Sequence, residues 1–374
     1  MKPDAPAHEP HRAPSPGRHS GARPAPSPDA AHTPDTEAEP HRTAPPAPGR
    51  AAPALPPAPL LSVQDLRISF DGVEVVRGLS FDVRPGEVLG IVGESGAGKS
   101  LTARALLRMV PRDAATSGTV LLRGSADLAA ERGRRIGLVP QDALSALSPV
   151  HPVGDQLAAA VRSVRRVSRR EAAARAVAAL DRVGVPDAAR RARAYPHEYS
   201  GGMRQRAVIA MATVNEPDVV VADEPTTALD EERREQVLRV LAEQREAVGA
   251  ALVLVTHDLD VVRRHADRVL VMYAGRAAEL GPAARVLTRP RAPYTAGLLA
   301  SLPRPDGPPR RRLPALPGSP PAPGSLGAGC AFAPRCPLAA DPCRTREPEP
   351  QPLDGRLVAC HRAADVPDPI REFL

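Results

Sequence analysis

One stretch constrains this chain more than any other. A short apolar run (Val88, Leu89, Ile91, Val92) ends in Gly93-Glu94-Ser95-Gly96-Ala97-Gly98-Lys99-Ser100, and a helix-forming segment follows. The pattern is G-x-x-x-x-G-K-[ST] with a strand before it and a helix after it, the context a phosphate-binding loop requires. The glycines let successive backbone N–H groups turn inward without Cβ clashes, and the helix N-terminus adds partial positive charge there. Lys99 is expected to reach the β/γ-phosphates, and the Ser100 hydroxyl is placed to ligate Mg²⁺. The chain holds 50 Lys and Arg residues, of which only Lys2 and Lys99 are lysines. A single lysine inside the part expected to fold, where positive charge is otherwise arginine, points to a site needing a compact ammonium rather than a planar fork.

At 374 residues there is room for one large domain or two. The net charge of +7 comes from 50 positive and 43 negative residues mixed along the chain, and aromatics make up 2%. That balance favours a solvated surface over a nucleic-acid face with stacking platforms, so no nucleic-acid partner is expected. No apolar run approaches the roughly 18 residues of a membrane span, and no signal-peptide core follows Met1. The expectation is a cytoplasmic protein that does any membrane work through partners.

Residues 1–59 are rich in Pro, Ala, Arg and His, with Leu55 their one large aliphatic residue beyond Met1. Such a segment cannot bury enough apolar area to offset chain entropy, and reads as a disordered extension. The spacing of His8, His11, His19, His32 and His41 is irregular, which fits a solvated tail better than a metal site.

From Leu60 the pattern changes. Alternation predicts strands at 61–70, 73–76 and 79–83, then at 118–123 and 136–139 after the loop helix. Phe70 is a candidate for stacking on an adenine, or an ordinary strand aromatic. Gln141 leaves the strand 136–139 on a loop from which it could reach a Mg²⁺. Helices are predicted at about 152–161 and 169–183, the second opened by a capping box at Ser168 and Glu171. Ser200-Gly201-Gly202-Met203 heads another helix and offers a hydroxyl and bare N–H groups, a second anion site. A single chain has no evident need of two; a head-to-tail pair of copies does, if this site closes on the γ-phosphate held by the other copy. The buried run 219–222 ends in Asp223, placed for Mg²⁺, and Glu224, placed to orient an attacking water. A further buried strand, 251–255, delivers His257 to the same kind of sheet edge.

Taken in this order, these residues resemble the nucleotide-binding subunit of ABC transporters over residues 60–303. Residues 93–100 look like the Walker A loop, Gln141 the Q-loop, and 200–203 the signature motif with Met203 in the usual Gln position. Residues 219–224 look like Walker B, 227–230 the D-loop, and His257 the switch histidine. Finer features are similar to the oligopeptide/dipeptide importer branch: Leu147-Ser148-Pro149, the run 195–206, Met272-Tyr273-Ala274-Gly275 and Pro293-Tyr294-Thr295. The stretch between Gly124 and Ile136 is short for that branch.

The resemblance implies an α/β P-loop NTPase of the ABC ATPase type. It would have an antiparallel β subdomain, a helical subdomain over about 141–215, and a small Cys-bearing C-terminal element. The domains would be the extension 1–59, the ATPase 60–302, and a Pro-rich strap with the Cys element at 303–374. It further implies that Phe70, Gly93, Glu94, Ser95, Gly96, Ala97, Gly98, Lys99, Ser100 and Leu101 bind ATP. Ser100, Gln141 and Asp223 would hold Mg²⁺, and Glu224, His257 and Gln141 would act in hydrolysis. Asp230 would belong to the D-loop, and Ser200, Gly201, Gly202 and Met203 would serve the nucleotide of a second subunit. The implied setting is peripheral, on the cytoplasmic side of the plasma membrane. Two permease subunits, a second ABC ATPase (or another copy) and, indirectly, an extracytoplasmic solute-binding protein would be the partners. The solute would be a di- or oligopeptide, or a relative such as nickel. A soluble ABC ATPase acting on ribosome or DNA is the rival, disfavoured by a single Walker A loop and the lack of sustained heptads.

All four cysteines, Cys330, Cys336, Cys343 and Cys360, fall in the tail, with 5, 6 and 16 residues between them. Zinc sites usually open with C-x₂₋₄-C, which this spacing does not. Thiolate-only ligation suits an iron–sulfur cluster, and the resemblance implies [4Fe–4S]; zinc and unliganded thiols stay open.

Overall fold

The computed structural model describes residues 58–302 and 315–368, apart from Leu144 and Ala228. All but the last two residues of the expected extension, the first part of the expected strap and Ala228 of the D-loop lie outside the described residues.

In chain order the strands are β1 (Leu61–Phe70), β2 (Val73–Val83), β3 (Val88–Val92), β4 (Ala114–Leu122), β5 (Ile136–Val139) and β6 (Val219–Asp223). They are followed by β7 (Ala251–Val255), β8 (Arg268–Tyr273), β9 (Arg276–Pro282), β10 (Gln351–Leu353) and β11 (Arg356–Val358). Three make an antiparallel sheet in the order β2-β1-β4. The two strands expected at 73–76 and 79–83 are one. Gly78 takes φ +74°, a left-handed value glycine adopts freely, so the chain bulges there while pairing resumes on either side, Arg67 with Arg77 and Leu66 with Leu79.

The main sheet runs β10-β11-β9-β8-β3-β7-β6-β5. Its parallel centre is built from strands that are apolar throughout, because both faces are covered: every residue of β3, β6 and β7 is buried. β3 is flanked by β8 and β7, and β6 pairs with β7 and β5, all in parallel. The loops leaving β3, β5, β6 and β7 therefore share one edge, where open α/β sheets form their ligand sites.

The helices Val153–Val164, Arg169–Arg182 and Gly201–Thr213 pack into one apolar cluster with β6 and the helix Glu231–Val248. Ser168 caps its helix, its hydroxyl accepting from the Glu171 N–H at 3.1 Å. Glu171 departs from the expected reciprocal box, since its carboxylate accepts from Arg175 one turn on.

The Cys-bearing segment does not stand apart. β11 joins the main sheet antiparallel to β9, with Leu357 opposite Leu280 and Val358 opposite Glu279. Phe332 enters a cluster with Val92, Tyr273 and Tyr294.

Candidate active site

The loop after β3 is shaped by backbone freedom. Gly93 sits at φ +155°, where a Cβ would overlap the Met272 carbonyl oxygen, and Gly98 takes φ +92° as it starts the helix Lys99–Ala105. The loop and β8 thus lie too close for any side chain at Gly93.

Lys99, 6% exposed, donates to the carbonyl oxygens of Gly93 at 2.9 Å and Glu94 at 3.2 Å, and lies 3.9 Å from Glu224. Burial holds its ammonium below the ordinary lysine range, against the pull of Glu224 and Asp223. The Ser100 hydroxyl donates to Asp223 Oδ1 at 2.9 Å. Burial, with Glu224 nearby, pushes the Asp223 carboxyl above the usual range despite that bond. A buried ammonium and a buried carboxyl, both pushed toward their neutral forms by burial, are suited to an incoming anion and an incoming cation respectively. Mg²⁺ with a nucleotide supplies both, and Ser100 with Asp223 is an oxygen pair of the hardness Mg²⁺ takes.

Glu224 gathers the remaining groups. Its Oε2 accepts from Gln141 Nε2 at 3.2 Å and Thr227 Oγ1 at 2.8 Å, and lies 3.4 Å from His257 Nδ1. Residues following β5, β6 and β7 thereby meet the lysine following β3 around one carboxylate. Glu224 takes φ +46°, a strained value for a side-chain-bearing residue, and its N–H donates to the Val255 carbonyl at 2.9 Å. His257 is 63% exposed, free on the side that faces solvent.

Other expected residues have visible local tasks. Ser200 caps the helix Gly201–Thr213, accepting from the Met203 N–H at 3.3 Å. A Cβ on Gly201 or Gly202 would meet nothing within 4 Å, so the approach to that helix end is open. Met203 is half-buried against the helical cluster. Asp230 caps the helix Glu231–Val248, accepting from the Arg233 N–H at 2.9 Å. Phe70 ends β1, half-buried against the antiparallel sheet.

Three contributors were quoted in the sequence only as members of longer motifs, with no task of their own. Thr227 supports Glu224, as above. Gln205, buried, donates to the Pro225 carbonyl at 2.9 Å and ties the helix Gly201–Thr213 to the turn after β6. Tyr294 accepts from the Glu94 N–H at 2.9 Å. A buried Gln is a readable signal of a polar tether; the other two are set by tertiary proximity alone.

This sheet edge, with its glycine loop, paired Ser and Asp, and carboxylate ringed by Gln, Thr, Lys and His, defines a P-loop nucleotide-binding ATPase domain. Two family patterns match, ABC transporter over residues 76–227 and the oligopeptide/dipeptide transporter C-terminal region over 278–343. The oligopeptide transport ATP-binding protein OppD of Mycobacterium tuberculosis is 49% identical over 321 residues, which cover 83% of this chain and 52% of that protein. The chain thus spans about half the length of its mycobacterial relatives. A probable peptide ABC transporter ATP-binding protein of Sinorhizobium fredii, y4tR, is 44% identical over 82% of this chain and 96% of its own length. Among solved structures, a dimeric post-hydrolysis state of the ATP-binding cassette MJ0796 bound to ADP and Pi matches at TM-score 0.52 and 26% identity. That match covers 60% of this chain and 98% of the other. The chain belongs to the ABC transporter ATP-binding proteins, in the oligopeptide/dipeptide branch.

Proposed function

We propose that this chain is the ATP-hydrolysing subunit of an importer for di- or oligopeptides, seated on the cytoplasmic face of the membrane against two permease subunits. The observation that carries the reading is the convergence of Gln141, Thr227, His257 and Lys99 on Glu224. No helix among the described residues is long and apolar enough to cross a membrane, which fits a subunit that works through partners. The names of its relatives as peptide import ATP-binding proteins support the solute class.

In this mechanism the loop amides and Lys99 would hold the phosphates, and Ser100, Asp223 and Gln141 would hold Mg²⁺, whose charge would offset that of the transferred group. Glu224 orients the attacking water and accepts its proton, and His257 hydrogen-bonds across the closed site. Ser200, Gly201 and Gly202 close on the nucleotide of a second subunit, through the open approach those glycines leave. Deleting the coding sequence in its host and measuring uptake of a labelled tripeptide tests the function. Uptake should vanish, and return with the wild-type chain but not with Glu224→Gln. Undiminished peptide uptake with loss of nickel or sugar uptake would overturn the peptide assignment.

We propose further that the four cysteines hold a [4Fe–4S] cluster. They border one cavity of about 60 Å³, together with Tyr273, Tyr294 and Phe332. Among the described residues no group of three or more His, Cys, Asp or Glu is arranged to hold a metal ion. A [4Fe–4S] cluster takes four cysteine thiolates, which Cys330, Cys336, Cys343 and Cys360 would supply. Burial pushes the Cys336 thiol up to about 11 and Cys360 up to about 12. Anaerobically purified protein should be brown and contain about four irons per chain, and Cys336→Ser should bleach it. Colourless protein with stoichiometric zinc, or with no metal, would sink the cluster.

A further inference from the structure

The phosphate loop is gripped from outside the ATPase core. Arg335, its side chain 6% exposed, forms a two-pronged pair with Glu94, the second residue of the loop: Nη1 to Oε2 at 2.7 Å and Nη2 to Oε1 at 3.0 Å. The guanidinium is itself fixed. Its Nε donates to the Pro317 carbonyl at 2.8 Å, Nη1 also reaches Tyr273 Oη at 3.3 Å, and the group lies 5.8 Å from the Tyr273 ring centre and 5.9 Å from that of Phe332. The Glu94 N–H meanwhile donates to Tyr294 Oη at 2.9 Å. One buried aromatic box thus holds Glu94 by both backbone and carboxylate.

Two physical consequences follow. The Glu94 carbonyl is one of the two on which Lys99 rests, so fixing Glu94 fixes the platform from which that ammonium meets phosphate. Glu94 also brings a negative charge into a loop whose ligand is anionic, and a forked arginine pair is the strongest way to cancel it in place. We propose that Arg335 is a positioning residue of the nucleotide site, through which the Cys-bearing segment sets the shape and charge of the phosphate loop and hence ATP affinity. The proposal rests on reading residues 93–100 as the ATP-binding loop.

The test uses the full chain and measures ATP binding by calorimetry, hydrolysis kinetics and thermal melting for Arg335→Ala, Arg335→Lys, Glu94→Gln and the double variant Arg335→Ala with Glu94→Gln. Arg335→Ala should raise the ATP dissociation constant and KM roughly tenfold with kcat little changed. Arg335→Lys should recover part of that loss, having charge without the fork. In the Glu94→Gln background Arg335→Ala should add little, because the charge it cancels is gone. Unchanged ATP affinity in Arg335→Ala, or a loss just as large in the Glu94→Gln background, would overturn the clamp, the second outcome marking a general loss of packing. Lys99→Ala separates the two claims. If it too leaves ATP affinity unchanged, the loop reading falls and the clamp with it; if it weakens binding while Arg335→Ala does not, the clamp alone falls.

Discussion

Glu224 is held in a backbone conformation that costs free energy, and four side chains converge on it; both facts fit a residue fixed for chemistry rather than for folding. Glu224→Gln keeps the shape and an acceptor for Thr227 while removing the carboxylate proposed as the base. Its kcat should fall about 10²–10⁴-fold, the usual worth of a general base, with ATP affinity preserved. Single-turnover hydrolysis in the assembled transporter checks this, and a wild-type rate would remove Glu224 from the role. Lys99→Ala acts on the other quantity. Losing a charge-assisted partner to phosphate costs about 1.5–3 kcal/mol, so ATP affinity should fall roughly ten- to hundredfold in a calorimetric titration. These residues were legible in the sequence because each follows a recognisable buried strand, and strand ends are where such sheets put their ligands. Thr227 and Tyr294 were not, since a hydroxyl supporting a carboxylate leaves no periodicity or spacing to read.

Among the elements, the helix Gly201–Thr213 shows how much of a site can be local. The sequence offered Ser200 and the two glycines as an anion site at its head; the structure has Ser200 capping the Met203 N–H and keeps the approach open. Ser200→Arg removes a cap worth about 1 kcal/mol and fills that approach with a cationic chain. ATP binding to a single chain should survive, since Lys99 and its loop are untouched, while ATP-driven pairing of two subunits should be lost. Sedimentation with ATP in the Glu224→Gln background, where the closed pair should persist, reads the difference. If Ser200→Arg weakened monomer binding as much as Lys99→Ala, head-to-tail closure would fail. The sequence was less informative for β2. Alternation broke at Gly78 and suggested two strands, whereas a bulge carries one strand through the break.

At the scale of the molecule, the sequence suggested two folding units joined by a Pro-rich strap, and the structure binds them together. Strands of three residues such as β10 and β11 are too short for periodicity to reveal, and a contact like that of Arg335 with Glu94, 241 positions apart, leaves no trace in spacing. The joint is substantial. Arg356 pairs at 3.0 Å with Glu279, a carboxylate 0% exposed, which also accepts from the N–H groups of Arg291 and Ala292. Phe332 lies 5.3 Å from the Tyr273 ring and 5.4 Å from that of Tyr294. A chain ended after Leu302 takes from Glu279 its Arg356 partner and uncovers the β9 edge on which β11 lies, so the cost is bounded above by the about 3–5 kcal/mol of a buried charge left unpaired. It also uncovers the aromatic box, where burying one Phe side chain is worth about 1.5–3 kcal/mol. The truncated chain should therefore unfold at clearly lower denaturant than the full chain and bind ATP more weakly, having lost Arg335 from its loop. Parallel urea melts and ATP titrations of the two chains decide the matter: equal midpoints and equal affinities would restore the picture of two independent units.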